Sequence, residues 1–218
     1  MGQTQVDLTG IWRLQPGTFR PALVTTDGEA PPLLPEAASI YEKNRAAYAA
    51  GDLSFDRSST ICLSPGMPRL ALLPYPFQIV QRPHQLAFIF EWNNRFRLVD
   101  MTGKPAIVDD LSYIGTAVGH VEGEQVVIHT QALNDASLLD ASGMPHSDEL
   151  RLIERYRLKD GGKTLVNEIT VEDPKTFSRP WKTTATYKRL PAGTEIQEDV
   201  CRARIYAGQP AFEFNRWK

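Results

Sequence analysis

Four titratable side chains, Glu91, His120, His129 and Glu154, fall within a run of predicted β-hairpins at positions where apolar residues are expected. Charged groups are rarely buried unless they are paired, and groups with perturbed titration cluster at functional sites. Carboxylates and imidazoles transfer protons near neutral pH when a protein positions them. Their types and placement therefore predict acid–base chemistry on a small molecule, with no metal and no organic cofactor.

Glu154 lies on a predicted hairpin that turns at Gly161-Gly162. With a two-residue turn, the alternation of side chains places Glu154, Tyr156 and Asn167 in one otherwise aliphatic row. Glu154 is then either an acid or base, with Tyr156 and Asn167 steadying a substrate oxygen, or a structural carboxylate held by these neighbours or by an arginine. Both interpretations stay open.

The opposite face of this hairpin carries opposite charges. Its register sets Arg155 against Glu168 and Arg151 against Glu172, which is typical of a solvated face. Glu168 is therefore predicted to be structural.

The two strand histidines belong to one hairpin. A two-residue turn pairs His120 with Gln125 and His129 with Thr116, so the imidazoles share a face about 13 Å apart along the strands. That distance is too large for one metal ion. One imidazole is predicted to meet Glu154 across the barrel as a base whose tautomer a partner fixes; the alternative is that both face solvent.

A third hairpin, at Asn93-Asn94, carries Glu91 opposite Phe96. Its other face sets aromatic side chains against arginines, which favours stacking of guanidinium groups on rings. The aromatic candidates for lining a ligand pocket are Trp92, Phe88 and Phe90. Which row points inward is undecided, so Glu91 is either a substrate contact or a rim carboxylate paired with an arginine.

Two further candidates lie beside loops. His146 belongs to a polar loop just before a strand, where it either contacts substrate at the barrel mouth or sits in a turn capped by Ser147 or Asp148. Trp181, at the start of a predicted strand, is a further candidate for substrate contact.

Short apolar runs separated by turn residues predict an all-β fold. The first strand candidate is Asp7 to Leu14, and one N-terminal helix is predicted from Pro35 to Gly51. The remaining predicted strands are 77–82, 85–92, 95–101, 116–122, 124–130, 149–159, 163–172, 181–190 and 194–203. About nine or ten strands in hairpin order predict an antiparallel up-and-down barrel, because closure removes exposed edges.

The chain has 218 residues, of which 42% are hydrophobic and 23% are charged, and this predicts one domain. Within it, residues 1–76 are predicted to hold a strand, a proline-rich wrap and a helix, residues 77–203 the hairpins, and residues 204–218 a tail. A net charge of −2 without basic blocks argues against nucleic acid, and no apolar run is long enough for a membrane span. The N-terminus lacks signal-peptide features, which predicts a cytoplasmic protein, or a periplasmic one if a signal was removed.

The two cysteines, Cys62 and Cys201, allow two interpretations. A disulfide would suit an oxidising compartment, whereas two buried thiols would suit the cytosol. Neither has a CxxC partner, so a structural zinc site is not predicted.

Gly10-Ile11-Trp12 resembles the Gly-x-Trp of lipocalin-like (calycin) barrels, in which the Trp plugs the closed end. The resemblance implies a barrel of that type.

Four further motifs are Cys62-x-x-Pro65-Gly66-x-Pro68, Glu154-Arg155-Tyr156, Asp173-Pro174 and Pro180-Trp181. Through them most of the chain resembles a large group of bacterial proteins that has no settled activity. That group tends to have Arg, Trp and Asp where this chain has His120, Val121 and His129. The departure implies a specialised site.

The sequence thus predicts a cofactor-independent isomerase, cyclase, dehydratase or lyase for a small hydrophobic or aromatic metabolite in the barrel cavity. Glu154 or His129 would move the proton. A non-catalytic lipocalin-like carrier is the alternative. In a third hypothesis, the tail AFEFNRWK adds a strand to a neighbouring subunit through Phe212 and Phe214, giving a homo-oligomer.

Overall fold

A computed structural model describes residues 6–104 and 110–213. Nine strands form a closed β-barrel in sequence order. The strands are β1 Gly10–Leu14, β2 Phe77–Arg82, β3 Gln85–Phe90, β4 Arg95–Asp100, β5 Thr116–Glu122, β6 Gln125–Gln131, β7 Arg151–Lys159, β8 Thr164–Glu172 and β9 Trp181–Arg189. The predicted all-β barrel is confirmed.

One neighbouring pair in the barrel is not antiparallel. β4 and β5 run parallel and share a single registered pair, Asp100 with Val118. The other neighbours, including β1 and β9, are antiparallel. Nine strands that alternate in direction cannot close entirely antiparallel, because an odd number leaves two neighbours pointing the same way. The expectation of antiparallel pairing throughout was wrong at this seam.

The described α-helices fall in two segments of the chain, between β1 and β2 and after β9. The predicted N-terminal helix is confirmed as α1 Pro35–Ala49, and the described residues also include three shorter helices: α2 Arg57–Ile61, α3 Arg69–Leu72 and α4 Cys201–Tyr206. The predicted strand at 194–203 was wrong, because this segment is irregular and then helical. β1 already closes the barrel against β9, so no free edge remains for another strand.

Aromatic side chains fill the inside of the barrel. The ring of Phe77 lies 5.0 Å from that of Tyr187 and 6.1 Å from that of Phe88, and Phe88 lies 5.6 Å from Tyr156. All four side chains are buried. Their large apolar surfaces stabilise the closed barrel by packing and occupy the space that was predicted to hold a ligand.

Trp12 on β1 is fully buried, and its indole Nε1 donates to the Leu8 carbonyl at 3.0 Å. The Arg189 guanidinium lies over the Trp12 ring at 4.2 Å from its centroid. Gly10 makes room for that guanidinium, since a Cβ at Gly10 would lie 2.2 Å from Arg189 Nη1. The Gly-x-Trp spacing therefore serves this stacking.

The register was predicted correctly for one hairpin and incorrectly for two. The hairpin at Gly161-Gly162 pairs as expected, with Tyr156 opposite Asn167 and Arg155 opposite Glu168. The ion pairs nevertheless differ from the expected ladder, because Arg155 binds Glu122 at 2.7 Å and Glu168 binds Lys182 at 2.8 Å.

The other two turns are centred one residue away from the predicted positions. Phe90 pairs with Arg95, and His120 pairs with Val127 rather than Gln125. A turn displaced by one residue moves every partner by two positions but leaves each side chain on the same face. The predicted faces therefore survived where the predicted partners did not.

A disulfide joins Cys62, at the end of α2, to Cys201, at the start of α4, with a Cα–Cα distance of 5.9 Å. Both cysteines are buried. Of the two interpretations left open by the sequence, the structure shows the disulfide.

Candidate functional site

A polar cluster lies inside the barrel around Glu154. The Arg97 guanidinium donates to both carboxylate oxygens of Glu154, to Oε1 at 3.2 Å and to Oε2, and also to Thr130 Oγ1 at 2.6 Å. The side chains of Arg97 and Glu154 are both 0% exposed. Burial alone would lower the pKa of Arg97, but the Glu154 carboxylate outweighs it and raises that pKa, so the guanidinium stays charged.

Tyr156 and Asn167 join this cluster, as the sequence predicted. The Tyr156 hydroxyl donates to Glu154 Oε1 at 2.8 Å, and Asn167 Nδ2 makes a longer contact of 3.5 Å with the same oxygen. Burial, followed by the nearby carboxylate, raises the pKa of Tyr156 well above its usual value. The phenol therefore stays protonated and acts as a hydrogen-bond donor.

Arg97 is the member that sequence reasoning did not assign to this cluster. It projects from β4, whereas Thr130 lies on β6 and Glu154 on β7, so the guanidinium reaches past β5. Its contacts thereby tie the barrel together beside the seam where β4 and β5 share one pair. A sequence signal for this role was present: Arg97 shares a row with Phe88 and Phe90, the more aromatic of the two rows of the Asn93-Asn94 hairpin, and an aromatic row favours the inward face.

The row of Phe88 and Phe90 points inward, but these rings pack in the core rather than line a free pocket. The Arg97 guanidinium stacks over Phe88 at 5.5 Å from its centroid, which confirms the expected arginine–aromatic contact.

Trp92 and Glu91 lie beyond the end of β3 and are both buried. The Trp92 indole stacks on Phe212 with centroids 5.0 Å apart and donates to the Ala211 carbonyl at 3.1 Å. Glu91 accepts from the Gln197 amide at 3.1 Å. Glu91 was expected on a strand opposite Phe96, either as a substrate contact or as a rim carboxylate. The strand position was wrong, because β3 ends at Phe90. The rim placement was also wrong, because the C-terminal segment covers Glu91.

His120 and His129 lie on the outer face and are exposed. His129 pairs with Ile153, so its side chain and that of Glu154 leave opposite faces of the wall. The expected contact between a histidine and Glu154 therefore does not form. The expected separation of about 13 Å was also wrong, since the two ring centroids are 6.1 Å apart.

His146 is buried in the loop between β6 and β7. Its Nε2 lies 2.9 Å from Ser137 Oγ, and its Nδ1 lies 3.0 Å from the Ser147 carbonyl oxygen. A protonated Nδ1 donates to that carbonyl, which leaves Nε2 to accept from the serine. Burial lowers the pKa of His146. The residue fastens the loop, in line with the turn interpretation.

The lowered pKa of His146 predicts a pH-dependent stability. An unfolded histidine protonates near pH 6.5, whereas the buried imidazole resists protonation, so its contribution is complete above about pH 6.5 and is lost as the pH falls towards the folded-state pKa. Urea unfolding between about pH 7.5 and 5.5 is expected to show a steeper loss of unfolding free energy for wild type than for His146→Gln.

His84→Gln is the matched control for this measurement, because His84 is exposed in the turn after β2 and its variant should keep the wild-type slope. Equal slopes for wild type and His146→Gln would contradict the assignment.

A pocket of about 650 Å³ opens where the β6–β7 and β8–β9 connections leave the same end of the barrel. Its size falls in the usual range for small-molecule sites. The lining residues are Leu111, Gln131, Ala132, Asp148, Glu149, Leu150, Arg151, Glu172, Asp173, Pro174, Phe177, Ser178, Arg179 and Pro180. We call it the mouth pocket. Trp181 does not line it but packs edge-on against Phe177, at 5.4 Å between centroids.

Some of the charged side chains in the mouth pocket have ion-pair or hydrogen-bond partners, and others do not. Lys175 forms ion pairs with both Asp148 at 2.9 Å and Glu149 at 3.1 Å, so its one positive charge is shared between two carboxylates. Asp173 accepts from Ser147, from the Lys175 amide and from the Thr176 hydroxyl.

Glu172 faces Arg151 across the β7–β8 ladder. Neither Arg151 nor Arg179 forms an ion pair within 4.0 Å in the part of the chain that the structure describes. The pocket lining thus includes two guanidinium groups without an ion pair to the described residues and four carboxylates, of which Asp148 and Glu149 share Lys175 and Asp173 is held by hydrogen bonds.

Comparisons with known proteins add no family. No protein-family model matches the chain, and no curated protein is significantly similar to it. Within residues 6–104 and 110–213, no helix is both long and apolar enough to cross a bilayer. Over the same residues, no group of three or more His, Cys, Asp or Glu side chains is arranged to hold a metal ion.

Proposed function

We propose that this protein binds a small molecule with an apolar body and an anionic group in the mouth pocket. The observation that carries the proposal is the coincidence of a 650 Å³ concavity with two arginines that lack carboxylate partners among the described residues. The exposed lining residues Leu111, Pro174 and Pro180 supply apolar contact, while Arg151 and Arg179 supply charge-assisted hydrogen bonds. The ligand is placed at the mouth because aromatic rings occupy the barrel interior.

Native mass spectrometry of the purified protein is the direct test for a co-purifying molecule. Incubating the released molecule with fresh protein separates the two function classes, because a carrier returns it unchanged and an enzyme yields a product.

An anionic aromatic dye, 8-anilinonaphthalene-1-sulfonate, serves as the probe for the pocket. Arg151→Ala and Arg179→Ala are each expected to weaken its binding about tenfold or more, since a hydrogen bond to a charged group contributes about 1.5–3 kcal/mol. Fluorescence titration measures the effect. Arg202→Ala, at an exposed arginine on α4, is the control and should bind the dye like wild type. Unchanged binding in both pocket variants would refute the assigned site.

Cofactor-independent acid–base catalysis is the second candidate. The observation that favours it is the convergence of Arg97, Tyr156 and Asn167 on the Glu154 carboxylate, which resembles the way enzymes position a proton-transfer group. Complete burial of Glu154 makes this the weaker proposal, because a substrate must displace packed aromatic rings to reach it.

Two structural features support proposals about the compartment of the protein and the type of its barrel. The buried Cys62–Cys201 disulfide supports an oxidising compartment such as the periplasm, where such bonds persist. The complete burial of Trp12 supports a likeness to lipocalin-type barrels, while the parallel β4–β5 pair is a difference from an up-and-down barrel.

Self-association through the tail is the least supported proposal. Phe212 is buried against Trp92 in its own chain and is therefore not available to a neighbour. Phe214 lies outside the described residues.

A further inference from the structure

His120 and His129 form a diagonal pair on the outer wall of the barrel. β5 and β6 pair Val118 with His129 and His120 with Val127, so the two imidazoles stand on neighbouring strands and on the same face. Their ring planes are 14° from parallel and their centroids are 6.1 Å apart. Both residues are exposed, so a solvated ion can reach either ring.

From this geometry we propose that His120 and His129 together bind one divalent late transition metal ion, Cu²⁺, Ni²⁺ or Zn²⁺. Imidazole nitrogen is a preferred ligand of these ions. With metal–nitrogen bonds of about 2.0–2.1 Å, two imidazoles on one tetrahedral ion have ring centroids roughly 5 Å apart. Because the lone pairs lie in the ring planes, both exposed side chains must rotate out of their stacked arrangement so that one nitrogen of each ring points at the ion and the centroids come about 1 Å closer.

Water completes the coordination shell of this site. His129 borders a depression of about 250 Å³ that it shares with Val118 and Gln131, which leaves space for a hydrated ion. Glu122 is not a ligand, because Arg155 binds it at 2.7 Å and Gln125 at 3.2 Å.

Binding to this pair requires the folded hairpin, since only the β5–β6 register brings the two rings together. The ion therefore binds the native state in preference to the unfolded chain, and it should raise the melting temperature until a chelator removes it. Neither His120 nor His129 lines the mouth pocket or contacts Glu154, so failure of metal binding leaves the proposed function untouched.

The test is titration of the full chain with Zn²⁺ by calorimetry and with Cu²⁺ by electron paramagnetic resonance. Wild type is expected to bind one ion, with two nitrogen ligands in the Cu²⁺ spectrum. His120→Asn and His129→Asn should each weaken binding about tenfold or more, because loss of even an outer-shell partner of a metal site costs at least that much.

His84→Asn is the matched control, as it removes an exposed histidine from the turn after β2, and it should bind like wild type. Circular dichroism of the variants confirms that each surface change leaves the barrel folded. Binding that survives either His120→Asn or His129→Asn, or the absence of one-to-one binding by wild type, would overturn the proposal.

Discussion

Removing the Cys62–Cys201 disulfide is expected to lower the unfolding free energy by about 3–5 kcal/mol. The bond joins residues separated by 139 positions, and a crosslink over so long a loop strongly restricts the unfolded chain. Guanidinium unfolding of wild type with and without reductant, and of Cys62→Ala/Cys201→Ala, measures the effect. The double variant and the reduced wild type should agree to within about 1 kcal/mol.

The barrel itself should persist without the disulfide. The C-terminal segment keeps its other contacts, which include the Asn93 amide donating to Asp199 at 2.7 Å and the stack of Phe212 on Trp92. Reductant should leave the double variant unchanged, which controls for effects elsewhere. A loss below about 1 kcal/mol would show that the crosslink adds little to this fold.

Breaking the Arg97–Glu154 pair is the second large effect. Arg97→Met leaves a buried carboxylate without its cation, and Glu154→Gln leaves a buried guanidinium without its anion. Each single change is expected to destabilise the protein by about 3–5 kcal/mol, since an uncompensated buried charge is costly. Arg97→Met/Glu154→Gln should cost less than the sum of the singles, because it removes both charges together.

The exposed pair of Lys182 and Glu168 is a matched control, with the same kind of contact at 2.8 Å but with access to solvent. Lys182→Met and Glu168→Gln should each cost less than about 1 kcal/mol. Urea unfolding of the complete set gives the coupling energy of each pair. Additive costs for Arg97→Met and Glu154→Gln would rule out the inferred tie across the seam.

The part of the site that the sequence predicted best is the row of Glu154, Tyr156 and Asn167. Its hairpin is centred on Gly161-Gly162, two residues that accept positive φ, so the turn position was marked by its chemistry. Once a turn is fixed, the two-residue period of a strand assigns every side chain to a face.

The histidine hairpin shows where that reasoning fails. Its turn is centred on Gly123-Glu124, one residue from the predicted centre. Because of this displacement, the two imidazoles were expected to be distant although they are neighbours in the structure. The face was still predicted, because a shift of two positions preserves the alternation.

By itself, the sequence determined the all-β class, the single long helix and the side-chain alternation of the hairpins, since all of these follow from local patterns and turn residues. The tertiary structure decided which cation meets Glu154, where the parallel seam falls, that the cysteines pair, and that a concavity of about 650 Å³ opens at the barrel mouth. Each of these depends on residues distant in sequence that only barrel closure brings together, and local periodicity carries no information about such contacts.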